Sequence, residues 1–310
     1  MPHQPVLNDE VAGLLAPASG ETVVDCTFGA GGHARRLAPS LGPDGLYIAI
    51  DRDPLAHGFY EDFAQDVVCR TRFVRGSFDQ ALRDLFDEGV RADGILMDLG
   101  LSSMQIDRAE RGFSYAAQAP LDMRMDPAAE TTAESLLAEA GEDELARWFQ
   151  TYGEERYARR IARAIVRQRE QSPLRMTGDL VDVVRSAVPT PALFAAGHPA
   201  KRVFQALRIV VNDELAQLES ALEPAFALLA PGGRFAAISF HSLEDRRVKH
   251  AMRRWSRGPE LPPDLPVRDL PDGEGEVLTR RVVRPGEAES DRNPRSRSAR
   301  LRAVRRRGGS

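Results

Sequence analysis

Asp25-Cys26-Thr27-Phe28-Gly29-Ala30-Gly31-Gly32-His33, followed by Ile48-Ala49-Ile50-Asp51-Arg52-Asp53, is the stretch from which the rest of the chain is read. A β-branched run, Thr22-Val23-Val24, leads into the glycines, and a helix-like segment follows them. Glycine at a strand-to-helix turn lets backbone approach a ligand closely and tolerates positive φ. About 20 residues after Gly31, Asp51 closes a second apolar strand, the distance at which a carboxylate reaches the hydroxyls of a bound ribose. The spacing therefore predicts an adenosine-containing cofactor on a doubly wound sheet. Two cofactor classes fit it. Gly29-Ala30-Gly31-Gly32-His33-Ala34 satisfies the G-x-G-x-x-A pattern of dinucleotide sites. Asp25, a carboxylate at the end of the first strand, suits a cationic ligand such as S-adenosylmethionine better than a pyrophosphate.

Outward from this stretch the chain alternates. Strands fit Thr22–Cys26, Leu46–Asp51, Arg72–Arg75 and Gly94–Asp98, and helices fit the intervals starting near Gly32, Pro54 and Asp79. This pace implies βαβ units and a parallel sheet, with Asp25, Asp51, Ser77-Phe78 and Asp98 at one edge. From Asp107 to Arg202 the patterns are helical without a buried strand, so 107–202 reads as an inserted helical domain between core segments 1–106 and 203–310. The α/β pattern resumes with a helix over Val210–Leu229, the turn Pro231-Gly232-Gly233 and a strand Arg234–Phe240. Gly258 to Gly275 is a Pro/Gly-rich connection. Val277–Val283 and Ser298–Val304 read as a closing antiparallel pair, the second alternating Ala299, Leu301 and Ala303 with Arg300 and Arg302.

Composition narrows the classes. With 310 residues and 42% hydrophobic content the chain can fill more than one core. No apolar run approaches the ~20 residues of a membrane span, and Met1-Pro2-His3-Gln4-Pro5 lacks a signal-peptide pattern, so the expected location is cytoplasmic with no membrane partner. Cys26 and Cys69 have no metal-type spacing, nor do the histidines at 3, 33, 57, 198, 241 and 250. They predict reduced thiols and no metal. The net charge of −4 does not favour nucleic acid, but distribution matters more than sum. Arg156, Arg159, Arg160, Arg163 and Arg167 fall at i, i+3, i+4, i+7 and i+11, one stripe of a helix, with Tyr157, Ile161 and Ile165 facing elsewhere. The stripe is either a solvated face or a phosphate contact. The arginines from Arg292 to Arg307 pose the same choice.

These residues resemble the bacterial 16S rRNA (cytosine-N4)-methyltransferase family, known as RsmH and formerly MraW. The resemblance runs over nearly the whole chain: His3-x-Pro5-Val6-Leu7, Thr27-Phe28-Gly29-x-Gly31-Gly32-His33, Ile50-Asp51-Arg52-Asp53-Pro54 and Asp93-Gly94-Ile95-Leu96-Met97-Asp98-Leu99-Gly100. It continues through Glu110-Arg111-Gly112-Phe113-Ser114, Pro120-Leu121-Asp122-Met123-Arg124-Met125-Asp126, Tyr152-Gly153-Glu154-Glu155-Arg156, Phe204-Gln205-Ala206 and Ile238-Ser239-Phe240-His241-Ser242-Leu243-Glu244-Asp245. It implies a class I S-adenosylmethionine-dependent methyltransferase core with an inserted helical domain. The reaction implied is methyl transfer to the exocyclic amine of one cytidine in the small-subunit decoding region. It further implies cofactor contacts at Gly31, Gly32, His33, Asp51, Phe78, Asp98 and Gln105. The partner implied is 16S rRNA in the small ribosomal subunit, with a homodimer left open.

The cytosine amine is a poor nucleophile because its lone pair is delocalised, and an enzyme helps by accepting its N–H hydrogens. The (Asn/Asp/Ser)-Pro-Pro-aromatic signature of DNA amino-methyltransferases is missing. Asp98, Ser102 and Ser103 stand as candidate acceptors, with backbone capping as the alternative for the serines. Phe113 and Tyr115 offer either a stacking surface for an exposed base or anchors for the inserted domain. Ser242 with Asp245 reads as a capping box, leaving His241 as a candidate neighbour of the target base. Two rival functions share these features: a nicotinamide-dependent oxidoreductase, and a non-catalytic RNA-binding ribosome assembly factor.

Overall fold

The computed structural model describes residues 5–106, 108–193, 198–258 and 272–308. The chain divides into two compact units, Met1–Gly100 with Ala216–Ser310, and Leu101–Leu215. The first opens with α1 (Asn8–Leu15), β1 (Thr22–Asp25), α2 (Gly32–Leu37), β2 (Leu46–Asp51), α3 (Leu55–Asp66), β3 (Arg70–Arg75), α4 (Phe78–Asp87) and β4 (Ala92–Asp98). The second holds α5 (Ser103–Ile106), α6 (Ala133–Glu139), α7 (Glu142–Thr151), α8 (Ala158–Gln171), α9 (Thr177–Ala187), α10 (Thr190–Leu193) and α11 (Lys201–Asn212). Next come α12 (Glu214–Leu228), β5 (Leu229–Ser239), α13 (Ser242–Ser256), β6 (Gly275–Val277), α14 (Glu287–Arg292) and β7 (Arg300–Arg306).

In the first unit one seven-stranded sheet runs in the order β3-β2-β1-β4-β5-β7-β6. The first five are parallel; β7 is antiparallel to both β5 and β6. Central parallel strands are covered on both faces and so read as continuous apolar runs: Tyr47 to Ile50 are all buried in β2, as are Ile95 to Met97 in β4. Val24, Ile48, Ile50, Ile95 and Met97 share one core with Leu82 and Leu85 of α4, Leu218 and Leu222 of α12, and Met252 of α13. Trp255 closes that core, stacked on Phe226 at 4.5 Å. Register sets the functional edge. Asp25 lies beside Ala49 and Leu96, Asp51 beside Arg75, and Asp98 beside Ile238, so three carboxylates end parallel strands on one side.

The helical unit has its own core, built from residues such as Leu145, Phe149, Ile161, Ile165, Leu180, Val184, Phe204 and Leu207. It extends from 101 to 215, wider than the 107–202 read from the pattern, with Asp107 outside the described residues. The widening has a cause: α11 places Val203, Phe204, Ala206 and Leu207 in the helical core. Asn212 then ties the helix end to an irregular segment, its Oδ1 accepting from Met125 N and its Nδ2 donating to Met123 O, each at 2.7 Å.

Two expectations are corrected. The helix expected over Val210–Leu229 is two helices, because Asp213 takes a left-handed conformation (φ 50) that ends α11. Asp tolerates that region better than most residues. The strand expected over Val277–Val283 shrinks to Gly275–Val277. Leu278 N and Thr279 N both donate to Ala303 O, a bulge-like crowding, and Val283 rejoins Leu301 only through an isolated bridge. Most of the Gly258–Gly275 connection lies outside the described residues.

Candidate functional site

The end of β1 is tied to both of its neighbours by backbone and side-chain bonds. Leaving β1, Phe28 N donates to Ile50 O at 3.0 Å. Gly29 N donates to Asp51 Oδ2 at 2.7 Å, and Asp53 N donates to Asp51 Oδ1 at 2.8 Å. Asp51 therefore clamps the glycine loop to the turn after β2. Across β1 on the other side, Asp98 N donates to the Thr27 hydroxyl oxygen at 2.7 Å. Gly29 and Gly31 have φ of 56° and 74°, and a Cβ on Gly31 would sit 2.9 Å from the Phe28 ring. Glycine is required there by backbone and packing together. Burial pushes the Asp51 carboxyl up to about 6, against the two backbone hydrogen bonds that favour its ionised form.

Beneath this loop lies a cluster of three titratable groups. Asp25 is buried, its Oδ2 accepting from the Tyr47 hydroxyl at 2.9 Å and its Oδ1 from Thr27 N at 3.1 Å. Burial raises its carboxyl above the ordinary range, with His33 acting the other way. His33 Nε2 lies 3.5 Å from Asp98 Oδ2. Both ring nitrogens of His33, and Asp98 Oδ1, are buried without a hydrogen-bond partner. Among the described residues neither Asp25 nor Asp98 is paired with Arg or Lys. A buried polar atom without a partner costs free energy unless a ligand satisfies it. A carboxylate pair without a basic partner is suited to a cationic ligand. S-adenosylmethionine fits this cluster.

Phe78 begins α4 just after Gly76 and Ser77, half-buried against the sheet core. Gly31, Gly32, His33, Asp51, Phe78 and Asp98 thus belong to one unit. Gln105, Ser102 and Ser103 belong to the helical unit. There Ser102 N donates to Gln105 Oε1 at 3.2 Å, and Gln105 N donates to Ser102 O at 3.1 Å. That turn accounts for the Ser102 backbone, while its hydroxyl is buried without a partner. The Ser103 side chain lies outside the described residues.

Several other sequence candidates have structural explanations. His241, offered as a neighbour of a target base, is the N-cap of α13: its Nδ1 accepts from Glu244 N. Glu244 Oε2 returns the bond, accepting from Phe240 N and His241 N at 2.8 and 3.2 Å. The capping box therefore joins His241 to Glu244, not Ser242 to Asp245. Asp245 instead accepts from Arg302 at 2.6 Å. Phe113 is buried in the helical core, and Tyr115 stacks on His198 at 4.4 Å. Anchoring explains both. The tail arginines are also largely engaged: Arg305 with Glu276, Arg307 with Asp272, and Arg306 with the carbonyls of Ala227 and Leu229.

The stripe on α8 is different. Ile161 and Ile165 are buried, and Arg159, Arg160, Arg163 and Arg167 are exposed. Arg163 contacts Glu142 at 3.2 Å; among the described residues no carboxylate pairs with Arg159, Arg160 or Arg167. Arg156 is corrected: the helix starts at Ala158, and this arginine sits before it, its guanidinium 5.7 Å from the Tyr157 ring centre. Sequence reading missed Tyr47, whose hydroxyl donates to the Asp25 carboxylate, and Thr27, whose hydroxyl accepts from Asp98 N. Nothing local marks these two bonds, because each runs across the sheet. Cys26 and Cys69 are free and buried.

Sheet order and acidic strand ends together define the class. Five parallel strands with an antiparallel β7 inserted between β5 and β6 are the core of a class I methyltransferase, with S-adenosylmethionine as the methyl donor. Comparison with known proteins sharpens this. The chain belongs to the MraW methylase family, whose profile matches residues 1–307. It is 48% identical over 305 residues to ribosomal RNA small subunit methyltransferase H of Symbiobacterium thermophilum, covering 97% of this chain and 96% of that protein. To the protein of the same description from Thioalkalivibrio sulfidiphilus it is 49% identical over 308 residues, covering 98% and 97%. An rRNA methylase structure from Streptococcus thermophilus aligns over 99% of both chains at 11% identity and a TM-score of 0.43, too loose a fit to carry argument.

Proposed function

We propose that this chain transfers a methyl group from S-adenosylmethionine to the exocyclic N4 amine of a cytidine in the decoding region of small-subunit 16S rRNA. The observation that carries the reading is the match to rRNA small subunit methyltransferases over almost the full length of both chains. Asp51 and Asp98 stand at the strand ends where that chemistry needs them. Bound in this cluster, the cofactor supplies an electrophilic methyl on a sulfonium. Asp51 accepts from ribose hydroxyls, and Phe78 offers a flat apolar wall to adenine. Asp98, 26% exposed at its side chain, is the member of the buried cluster open to an incoming amine. Its carboxylate accepts an N–H as the nitrogen becomes tetrahedral, the moment when a preorganised acceptor contributes most. Gln105, Ser102 and Ser103 add candidate contacts from the helical unit. Arg159, Arg160, Arg163 and Arg167 give it a basic face for RNA phosphates.

The test is nucleoside mass spectrometry of small subunits lacking this methyl group, incubated with the protein and labelled cofactor. Labelled N4-methylcytidine is expected, reduced with Asp51→Ala in step with its weakened cofactor binding and severely reduced with Asp98→Asn. Near-normal turnover by Asp98→Asn removes that carboxylate from the mechanism. No label, despite demonstrated cofactor binding, points to another RNA or to a non-catalytic role.

A further inference from the structure

The Asp25–His33–Asp98 cluster is more than a set of contacts. It is a closed charge system. His33 is 7% exposed at its side chain, Asp98 is 26% exposed, and Asp25 is buried behind them. Proton exchange with the outside therefore runs through the Asp98 end. Around the imidazole, β1 contributes Asp25 and β4 contributes Asp98. On its own helix Arg35 is held by Asp66, and Arg36 by Asp9 of α1; Glu10 of α1 is exposed. Among the described residues no Arg or Lys pairs with either carboxylate, so a bound cation or the imidazole is left to balance them. Isolated buried charges are strongly disfavoured, and interacting groups titrate as a unit.

We propose that His33 is a proton-holding residue that exchanges its charge with the cofactor: neutral beside the cationic methyl donor, imidazolium beside the neutral thioether product. The proposal rests on the cofactor placement argued above and adds a protonation state to it. In turnover the amine lone pair forms the new N–C bond and the C–S electron pair remains on sulfur. The displaced N–H proton is accepted by Asp98 and held at His33 Nε2, 3.5 Å away. The cluster thus keeps one positive partner before and after transfer. His33 recovers its neutral state when product leaves and fresh donor binds.

Calorimetric titration in buffers of different ionisation enthalpy, such as phosphate and Tris, reads this directly. The probes are S-adenosylhomocysteine, which is neutral at the sulfur position, and sinefungin, which carries a cationic amine there. Near neutral pH the wild-type protein is expected to bind about one proton more with S-adenosylhomocysteine than with sinefungin. The ratio of their affinities then shifts toward sinefungin as pH rises, by up to tenfold per unit. Titration of Asp51 cancels from this ratio, because both ligands carry the same ribose. In His33→Asn the difference in proton number is expected to vanish while both ligands still bind. The imidazole nitrogen shifts of wild-type His33 in each complex give the same answer without a variant, protonated with one ligand and neutral with the other. Equal proton numbers in the wild type, an unchanged His33 signal, or a difference that survives in His33→Asn overturns the proposal. A failure of placement looks different: Asp51→Ala leaves both affinities unchanged, or neither ligand binds.

Discussion

Asp51 carries two roles that a single substitution can separate by pH. Its carboxylate accepts from Gly29 N and Asp53 N, and the proposed function adds the hydroxyls of a ribose. Hydrogen bonds to a charged acceptor contribute about 1.5–3 kcal/mol, so Asp51→Ala is expected to weaken S-adenosylhomocysteine by roughly 10- to 100-fold in calorimetry. Burial pushes this carboxyl up to about 6. Its ionised form is the better acceptor, so sinefungin affinity should fall as pH drops from 7 through about 6 toward 5. A flat profile over that range, or the same fall in Asp51→Asn, assigns the pH dependence elsewhere. For the free protein the sign is opposite. A carboxyl raised by burial adds stability in full below its ordinary value of 3.8, and that share is lost as pH rises through about 6. A bound ribose offsets the loss, which couples cofactor binding to the stability of the glycine loop.

At the level of elements, the two clearest cases are a helix start and a helix face. Glu244 is buried under the first turn of α13 and accepts from Phe240 N and His241 N. Glu244→Ala leaves both donors without that acceptor, and a loss of about 1–3 kcal/mol is expected in chemical denaturation. Glu244→Gln keeps an acceptor oxygen and should recover most of it; equal losses would mean that the charge, not the cap, matters. On α8 the arginines divide by their partners. Arg169 donates to the carbonyls of Leu137 and Ala140, each at 2.7 Å, and so closes the end of α6. Arg160 and Arg167 are exposed without a carboxylate partner among the described residues. Replacing those two with Gln should weaken rRNA binding and flatten the slope of log K against log salt by about 0.7 per lost phosphate contact. An unchanged slope returns the stripe to a solvated face.

Across the molecule, the two units carry separate cores, and the carboxylates proposed to serve the cofactor lie at the ends of β1, β2 and β4 of the first. Hydrogen exchange with and without S-adenosylhomocysteine should therefore show protection at 26–33, 51–53 and 98–100. The packed helices α7 to α9 should be unaffected; equal protection there would place the ligand differently. Much of this plan was legible in the chain. Apolar runs ending in Asp25, Asp51 and Asp98 announced parallel strands and their functional edge, because strands covered on both faces must be continuously apolar. The glycines at 29 and 31 announced the loop, since only they accept its positive φ cheaply. The inserted helices showed in the change of period. What remained hidden depended on groups distant in the chain. Tyr47 under Asp25, Thr27 on the end of β4, and the imidazole of His33 left without a hydrogen-bond partner beside Asp98 become visible only once the sheet sets them side by side. The break at Asp213 and the packing of α11 into the helical core were likewise beyond local pattern. Periodicity and turn chemistry are properties of neighbours in sequence, so the chain alone dictated the alternating strands and helices, the glycine loop and the inserted helices. Burial, charge balance and hydrogen-bond satisfaction are properties of neighbours in space, and long-range packing alone decided them.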